Sequence, residues 1–428
     1  GLYWDALPAR SQYAQNDLES TVWPDATAFA GTANTSANFV SGSFVNIIQA
    51  QSQGFATPLP TTTPWNITGF ADDPNYKDPY SHQWHFEFQR ELSRAVMVSV
   101  AYVGSKNGRL PYSGLANTAS QASPAGTANS VIDALRPMPW VGASLNYTLS
   151  KGTSTYNALE TKFQRRFTNG FSTLVSYTWG KSIDTGSGYF NVENGPGGGS
   201  TLQNFHDPSS GRGVSSYDIT HFLSWATVYE LPFGKGKRWV KDGPGSWVLG
   251  NWQANYILQT RTGQPFNLQV TGDIANLRGS APNAPGTYMR PNLVGDPFVA
   301  GPVAANPDVG CQKTISQGGK AADAVRTITT WFNPCAFSVP TVGNFGSFGR
   351  NVLRGKAVFN TDLSLFKSFP IREDMKLQFR MEMFNVFNIQ NWEVPSAVTI
   401  NGANPGRITA LAQGTTPRQI QFGLRFVF

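Results

Sequence analysis

Apolar and polar residues alternate along much of the chain. At the C-terminus Ile420, Phe422, Leu424, Phe426 and Phe428 take every second position, separated by Gln421, Gly423, Arg425 and Val427 and preceded by Gln419. In Asp374–Phe387, Met375, Leu377, Phe379, Met381 and Met383 alternate with Lys376, Gln378, Arg380 and Glu382. Within His82–Glu91, Trp84, Phe86 and Phe88 oppose Gln83, His85, Glu87 and Gln89. Within Asn251–Thr262, Trp252, Tyr256 and Leu258 oppose Asn251, Gln253, Asn255 and Gln259. A period of two sends successive side chains to opposite faces of a strand. Weaker versions run through Arg94–Gly104, Thr155–Phe167, Phe171–Ile183, Asp218–Leu231 and Gly355–Phe369. The pattern predicts these segments as strands, with Gly1–Trp4 as the tail of one more.

The connections fall into two classes. Leu92–Ser93, Thr168–Asn169 and Pro370–Glu373 are tight turns, whereas 105–154, 184–217, 263–353 and 388–415 are long, as is the N-terminal stretch 5–80. Pro232–Gly250 is the longest of the short class. Compact domains rarely hold structureless loops beyond about 12–15 residues, and a sandwich has no reason to sort them by strand end. An outer-membrane barrel does, with short turns at one rim and long loops at the other. The strands, at about ten to sixteen residues, exceed the globular mode of about 5–6. They suffice for the about 9–11 residues that a tilted strand needs to cross the hydrocarbon. Lipid offers the backbone no hydrogen bonds, so a spanning sheet must close on itself. Aromatics gather toward strand ends, as at Tyr177, Trp179, Trp225 and Tyr229, and such rings favour the lipid–water boundary. The expected fold is all-β: an antiparallel transmembrane β-barrel with short periplasmic turns and long extracellular loops. Trp84, Phe86, Phe379, Phe422 and Phe426 then face lipid. Gln83, His85, Glu87, Glu160, Lys162, Gln253, Asn255, Gln378, Arg380, Glu382 and Arg425 line the lumen. A secreted, glycan-binding β-sandwich is the water-soluble alternative.

Composition narrows the classes. Charged residues make up 14% of the 428 and aromatics 13%, against about 25% charged in typical soluble proteins. Disordered chains lack aromatics. No stretch approaches the about 20 apolar residues of a spanning helix; the longest, Ala95–Val103, is interrupted by Ser99. The net charge of +7 invites a nucleic-acid partner, but the cations are scattered. Their tightest group, Lys235, Lys237, Arg238 and Lys241, lies in one Gly-rich turn rather than along a stripe, so no nucleic acid is expected. Cys311 and Cys335, in a Gly/Pro/Asn-rich stretch, suggest a disulfide closing a loop in an oxidising compartment; the alternative is two unrelated thiols. The chain opens on Gly1 without Met or a signal-peptide core, which points to a processed start or a piece of something longer.

Little else suggests chemistry. His82 and His85, three apart on a strand, point to opposite faces and cannot share a metal ion. Gly180-Lys181-Ser182 ends like a phosphate-binding loop, but Val175 stands where that motif needs glycine and no helix follows. Asp207, Asp218 and Glu193, in or beside one long loop, could bind Ca²⁺ but read better as solvated charge. The four histidines, His82, His85, His206 and His221, assemble no catalytic constellation. No enzyme activity, cofactor or metal is expected.

Five stretches carry a resemblance: Tyr156–Asp184, Asp218–Trp239, Trp252–Phe266, Phe359–Asn388 and the closing Gln419–Phe428. In order and spacing they resemble the barrel of TonB-dependent outer-membrane receptors, in particular the Oar-like group with a carboxypeptidase-regulatory-like N-terminal domain. The resemblance implies a 22-stranded barrel closed by a plug, and energised uptake of a nutrient through the TonB complex. This chain departs from it in having no plug, no TonB box and about ten of the strands, and so reads as the C-terminal portion, 1–428, of a longer receptor. Phe428 then matches the C-terminal signal read by the barrel-assembly machinery, and is equally compatible with a simple lipid-facing residue. The alternative function is an outer-membrane structural or adhesion barrel whose loops bind a surface partner.

Overall fold

The computed structural model describes residues 2–4, 69–73, 75–137, 139, 145–188, 202–277, 289–372 and 375–428. Its centre is one sheet of consecutive antiparallel neighbours. In order these are β1 (Leu2–Trp4), β2 (Tyr80–Ser93), β3 (Val96–Leu115), β4 (Leu145–Thr168) and β5 (Phe171–Asp184). Then follow β6 (His221–Glu230), β7 (Trp252–Arg261), β8 (Val358–Pro370), β9 (Lys376–Phe384) and β10 (Gln419–Val427). Gly69–Asp72 pairs parallel with the start of β4, and Gly213–Val214 pairs with the end of β5.

The turns follow from local chemistry. Between β4 and β5, Asn169 and Gly170 both take positive φ, at 53° and 76°. That pair of left-handed residues makes the two-residue turn whose twist matches a hairpin, and it sets the register that pairs Thr168 with Phe171.

Residues directly opposite in an antiparallel pair project to the same face, so the register shows how the faces are composed. Val98 is opposite Phe163, then Val175, Trp225, Leu258 and Thr361 across the strands. A lower row runs Tyr256, Leu363, Met383 and Ile420, and the next Ala254, Leu365, Met381 and Phe422. The five expected lipid-facing residues all fall on this apolar face. Among the described residues Phe86 is 73% exposed and Phe422 67%, large apolar groups left mostly uncovered. From Phe171 to Trp179 the strand climbs about 27 Å at about 3.4 Å per residue; a tilt of about 40° leaves about 20 Å of height. Aromatic groups mark both ends of that rise. Phe171 and Tyr229 meet edge to face at 5.9 Å, while Trp179 stacks on His221.

Two expectations about the loops are corrected. The stretch 105–154 is not all loop: β3 continues to Leu115 and β4 begins at Leu145. Gly108 and Pro111 fall where the register shifts between Asn107 and Tyr112, as at bulges. Buried Tyr112 packs on Phe205 beyond the sheet. The stretches 263–353 and 388–415 are not structureless either. They fold together over a core of Phe266, Leu268, Trp331, Phe332, Phe337, Phe348, Leu353, Val394, Val398 and Ile408, forming a cap at the long-loop rim. Most of the stretch 5–80 lies outside the described residues.

Buried amides replace regular structure in this cap. Asn333, fully buried, donates to the carbonyls of Val299 and Gly301 and accepts from the amides of Ala322 and Cys335. Asn306 donates to Cys335 O at 2.8 Å and Phe337 O at 2.7 Å. Each such bond answers a backbone group that would otherwise be buried unpaired. Cys311 and Cys335 form a disulfide packed on Ala321 and Val303. The double variant Cys311→Ser/Cys335→Ser should lower cap stability by about 3 kcal/mol in the chain-entropy picture. Hydrogen exchange of 303–337 measures this, and unchanged protection would contradict it.

Candidate functional site

The face opposite the apolar one is mainly polar, with Leu174, Ala226, Ile257 and Phe366 among its apolar members. Glu87 lies opposite Ala101, then Glu160 and Thr178. Ser99 leads to Lys162, Ser176, Ser224, Gln259 and Asn360. Asn255 lies opposite Ser364, Glu382 and Gln421, while Gln253 lies opposite Phe366, Arg380 and Gly423. Gln378 pairs with Arg425, and Gln83 and His85 continue the face on β2. All eleven residues expected on the polar side share it. Several bond within the face: Gln253 Nε2 donates to Asn255 Oδ1 at 2.7 Å and Arg380 Nε to Gln378 Oε1 at 2.9 Å, while Glu382 accepts from Gln421, a further residue of the same face.

Where this face meets the cap, two arginines of one short segment fasten loop to strand. Arg350 pairs with Asp184 at the end of β5, both side chains buried, and also donates to Asp184 O at 2.7 Å. Arg354 pairs with Asp218, whose Oδ1 accepts from the Ser182 amide at 2.6 Å. Asn351 adds a bond to Val214 O at 2.9 Å. Deeper in the cap, Arg290 is buried and donates to Ser210 O, while its Nε and Nη1 meet no hydrogen-bond acceptor among the described residues. Burial, then the charge of Arg350, pushes its pKa down to about 10.

With this geometry in view, comparison with known proteins assigns a family. A family model described as an outer membrane beta barrel domain matches residues 1–421. This chain belongs to that family. It is an outer-membrane protein of a Gram-negative bacterium. No curated protein matches the sequence. Among solved structures it is similar to the outer membrane transporter YddB from Escherichia coli, at 9% identity and a TM-score of 0.37, covering 86% of this chain and 34% of that one. It is also similar to the FpvAI–pyocin S2 complex, at 10% identity and 0.37, covering 82% and 28%. The FrpB iron transporter from Neisseria meningitidis matches at 10% and 0.34, covering 83% and 32%. The chain thus spans about a third of the length of these structures.

The cap of this outer-membrane barrel chain holds a cleft of about 940 Å³ between the disulfide-linked segment and the turn at 400–405. Thr327, Thr329, Thr330 and Asn404 line it with Ile315 and Ile400. At its edge Lys320 donates to Asp308 at 2.7 Å, and that bond holds the Asp308 carboxyl below its ordinary range.

The other residues singled out in the sequence are dispersed. Asp207 caps a short turn by accepting from the Ser209 amide at 3.0 Å. Asp218 is itself buried and committed to Arg354, not solvated loop charge. Glu193 lies outside the described residues. His206 Nε2 lies 3.0 Å from Thr118 O, and His221 bonds the Tyr177 hydroxyl at 2.8 Å. Among the described residues no three His, Cys, Asp or Glu side chains group to hold a metal. Sequence reasoning missed Arg350, Arg354 and Arg290. No period or motif sets these three apart from the other charged residues of the stretch, Arg326 among them.

Proposed function

We propose that this chain forms part of the wall and extracellular cap of a TonB-dependent receptor that imports a nutrient with energy from the inner membrane. One observation carries the reading: a single register sorts the sheet into a mainly apolar face, broken by few charges such as Lys367, and a mainly polar face with charges of both signs. An exposed apolar surface running from Phe86 to Phe426 is what acyl chains cover. The polar side then faces the lumen, and its eleven residues hold water and a plug. The chain supplies about ten strands of a 22-stranded barrel, and the Oar-like group is the proposed subclass. Solute is caught in the cap, at the cleft, and passes along the lumen when the plug moves. Outer-membrane lipid, the TonB complex and the barrel-assembly machinery are the partners of this reading, with exposed Phe428 as the assembly mark.

Gene deletion tests it without knowing the solute. Strains lacking this gene and strains lacking TonB should share one growth defect on a panel of limiting nutrients. A defect from loss of the gene that loss of TonB does not reproduce would instead support the adhesion reading.

A further inference from the structure

The long member of the short-connection class, Pro232–Gly250, does more than join β6 to β7. It carries a short helix, Gly243–Leu249, and three of that helix's apolar side chains are turned to solvent: Trp247 at 68% exposure, Val248 at 57% and Leu249 at 49%. Just before them Trp239 and Val240 are also exposed. Val240 has φ 52°, an outlier for a β-branched residue. A turn needing only to reverse the chain has no use for this surface.

The helix is seated on the apolar face of the sheet and not on the polar one. Trp247 packs on Phe369 at 5.5 Å between ring centres. Trp252 Nε1 donates to Val248 O at 3.0 Å. Lys367, opposite Trp252 and Phe379 on the apolar face, reaches down to donate to Trp247 O at 2.8 Å and to Gly250 O. A lysine on an apolar face is costly unless its ammonium finds such acceptors at the rim. Here it ties the helix C-terminus to the sheet, making the helix surface continuous with the apolar band.

The same connection holds the chain's tightest cationic group. Lys235, Arg238 and Lys241 are exposed, and Lys237 pairs with Glu230. Exposed apolar rings beside lysine and arginine, at the edge of an apolar band, are the make-up of an element lying in a membrane interface.

We propose that Pro232–Gly250 is a membrane-surface foot. Trp247, Val248 and Leu249 enter the acyl boundary of the periplasmic leaflet, and Lys235, Arg238 and Lys241 bind its anionic phospholipid headgroups. The proposal rests on the reading that the apolar face meets lipid and adds a specific lipid contact to it.

The test uses the full chain inserted in vesicles, spin-labelled at Val248→Cys, with Leu424→Cys as the label on the apolar band and Ser316→Cys as the label in the cap. The vesicles are phosphatidylcholine alone, or phosphatidylcholine mixed roughly four to one with phosphatidylglycerol to supply anionic headgroups. Expected is a Val248 label that oxygen reaches more readily than a water-soluble nickel complex, as at Leu424 and opposite to Ser316. In the mixed vesicles, spin-labelled phosphatidylglycerol should be enriched around the unlabelled chain. Lys235→Gln/Arg238→Gln/Lys241→Gln should cut that enrichment about twofold or more. A Val248 label as open to nickel as Ser316, with Leu424 still in lipid, overturns the foot and leaves the barrel reading standing. A Leu424 label also open to nickel overturns both. Enrichment unchanged by the triple variant overturns the headgroup assignment.

Discussion

Phe379→Arg should destabilise the bilayer-inserted chain, by about 2–4 kcal/mol if the new cation sits at the bilayer midplane and by less nearer the rim, where Lys367 opposite Phe379 finds its acceptors. Gln378→Arg, one position along, should cost far less. The contrast comes from register. Phe379 lies opposite Leu424 and stacks on Phe422 at 6.1 Å, whereas Gln378 lies opposite Arg425 and accepts from Arg380. Reversible urea unfolding from vesicles, followed by tryptophan fluorescence, measures both. Equal penalties would contradict the assignment of faces, because charge would then be equally foreign to each side.

The second large effect lies at the cap. Arg350→Met removes one partner of a buried pair and leaves the Asp184 carboxylate without its counter-charge, which costs about 3–5 kcal/mol. Adding Asp184→Leu should restore most of the loss, since replacing both members with apolar groups is often neutral. Limited proteolysis of the cap in the two variants reports the difference. A double variant as weak as the single one would mean that Arg350 acts mainly through its bonds to the carbonyls of Asp184 and Gly213. Changing Arg354, which shares Asp218 with the Ser182 amide, should have a smaller effect because its side chain is partly open to solvent.

The strands were legible because two solvents impose a simple rule on them. A side chain at Phe422 meets one environment and its neighbour Gln421 another, and the alternation writes that boundary into the sequence. Nothing comparable marks the cap. Phe266, Trp331, Phe348 and Val394 come from distant stretches with no period, and meet only because buried Asn333 and Asn306 supply the bonds that a ladder would give. Asp184 and Arg350 are 166 residues apart, and no local pattern links them. The extension of β3 and β4 was obscured by its own chemistry. Gly108 and Pro111 read as breaks, yet Ser113 and Thr148 still face each other across the strands at 2.9 Å. The eleven polar-face residues were legible as a set but not as individual roles, since alternation gives direction and says nothing of what each group touches.

Arg350 and Arg354 grip two different strand ends, and this has a mechanical consequence. A lid bolted at one point swivels; bolted at two, it keeps its angle. Tension applied from outside, by a bound particle or a swaying surface polymer, is therefore shared between β5 and the approach to β6, and any tilting of the lid at this side turns about the line through the two anchors.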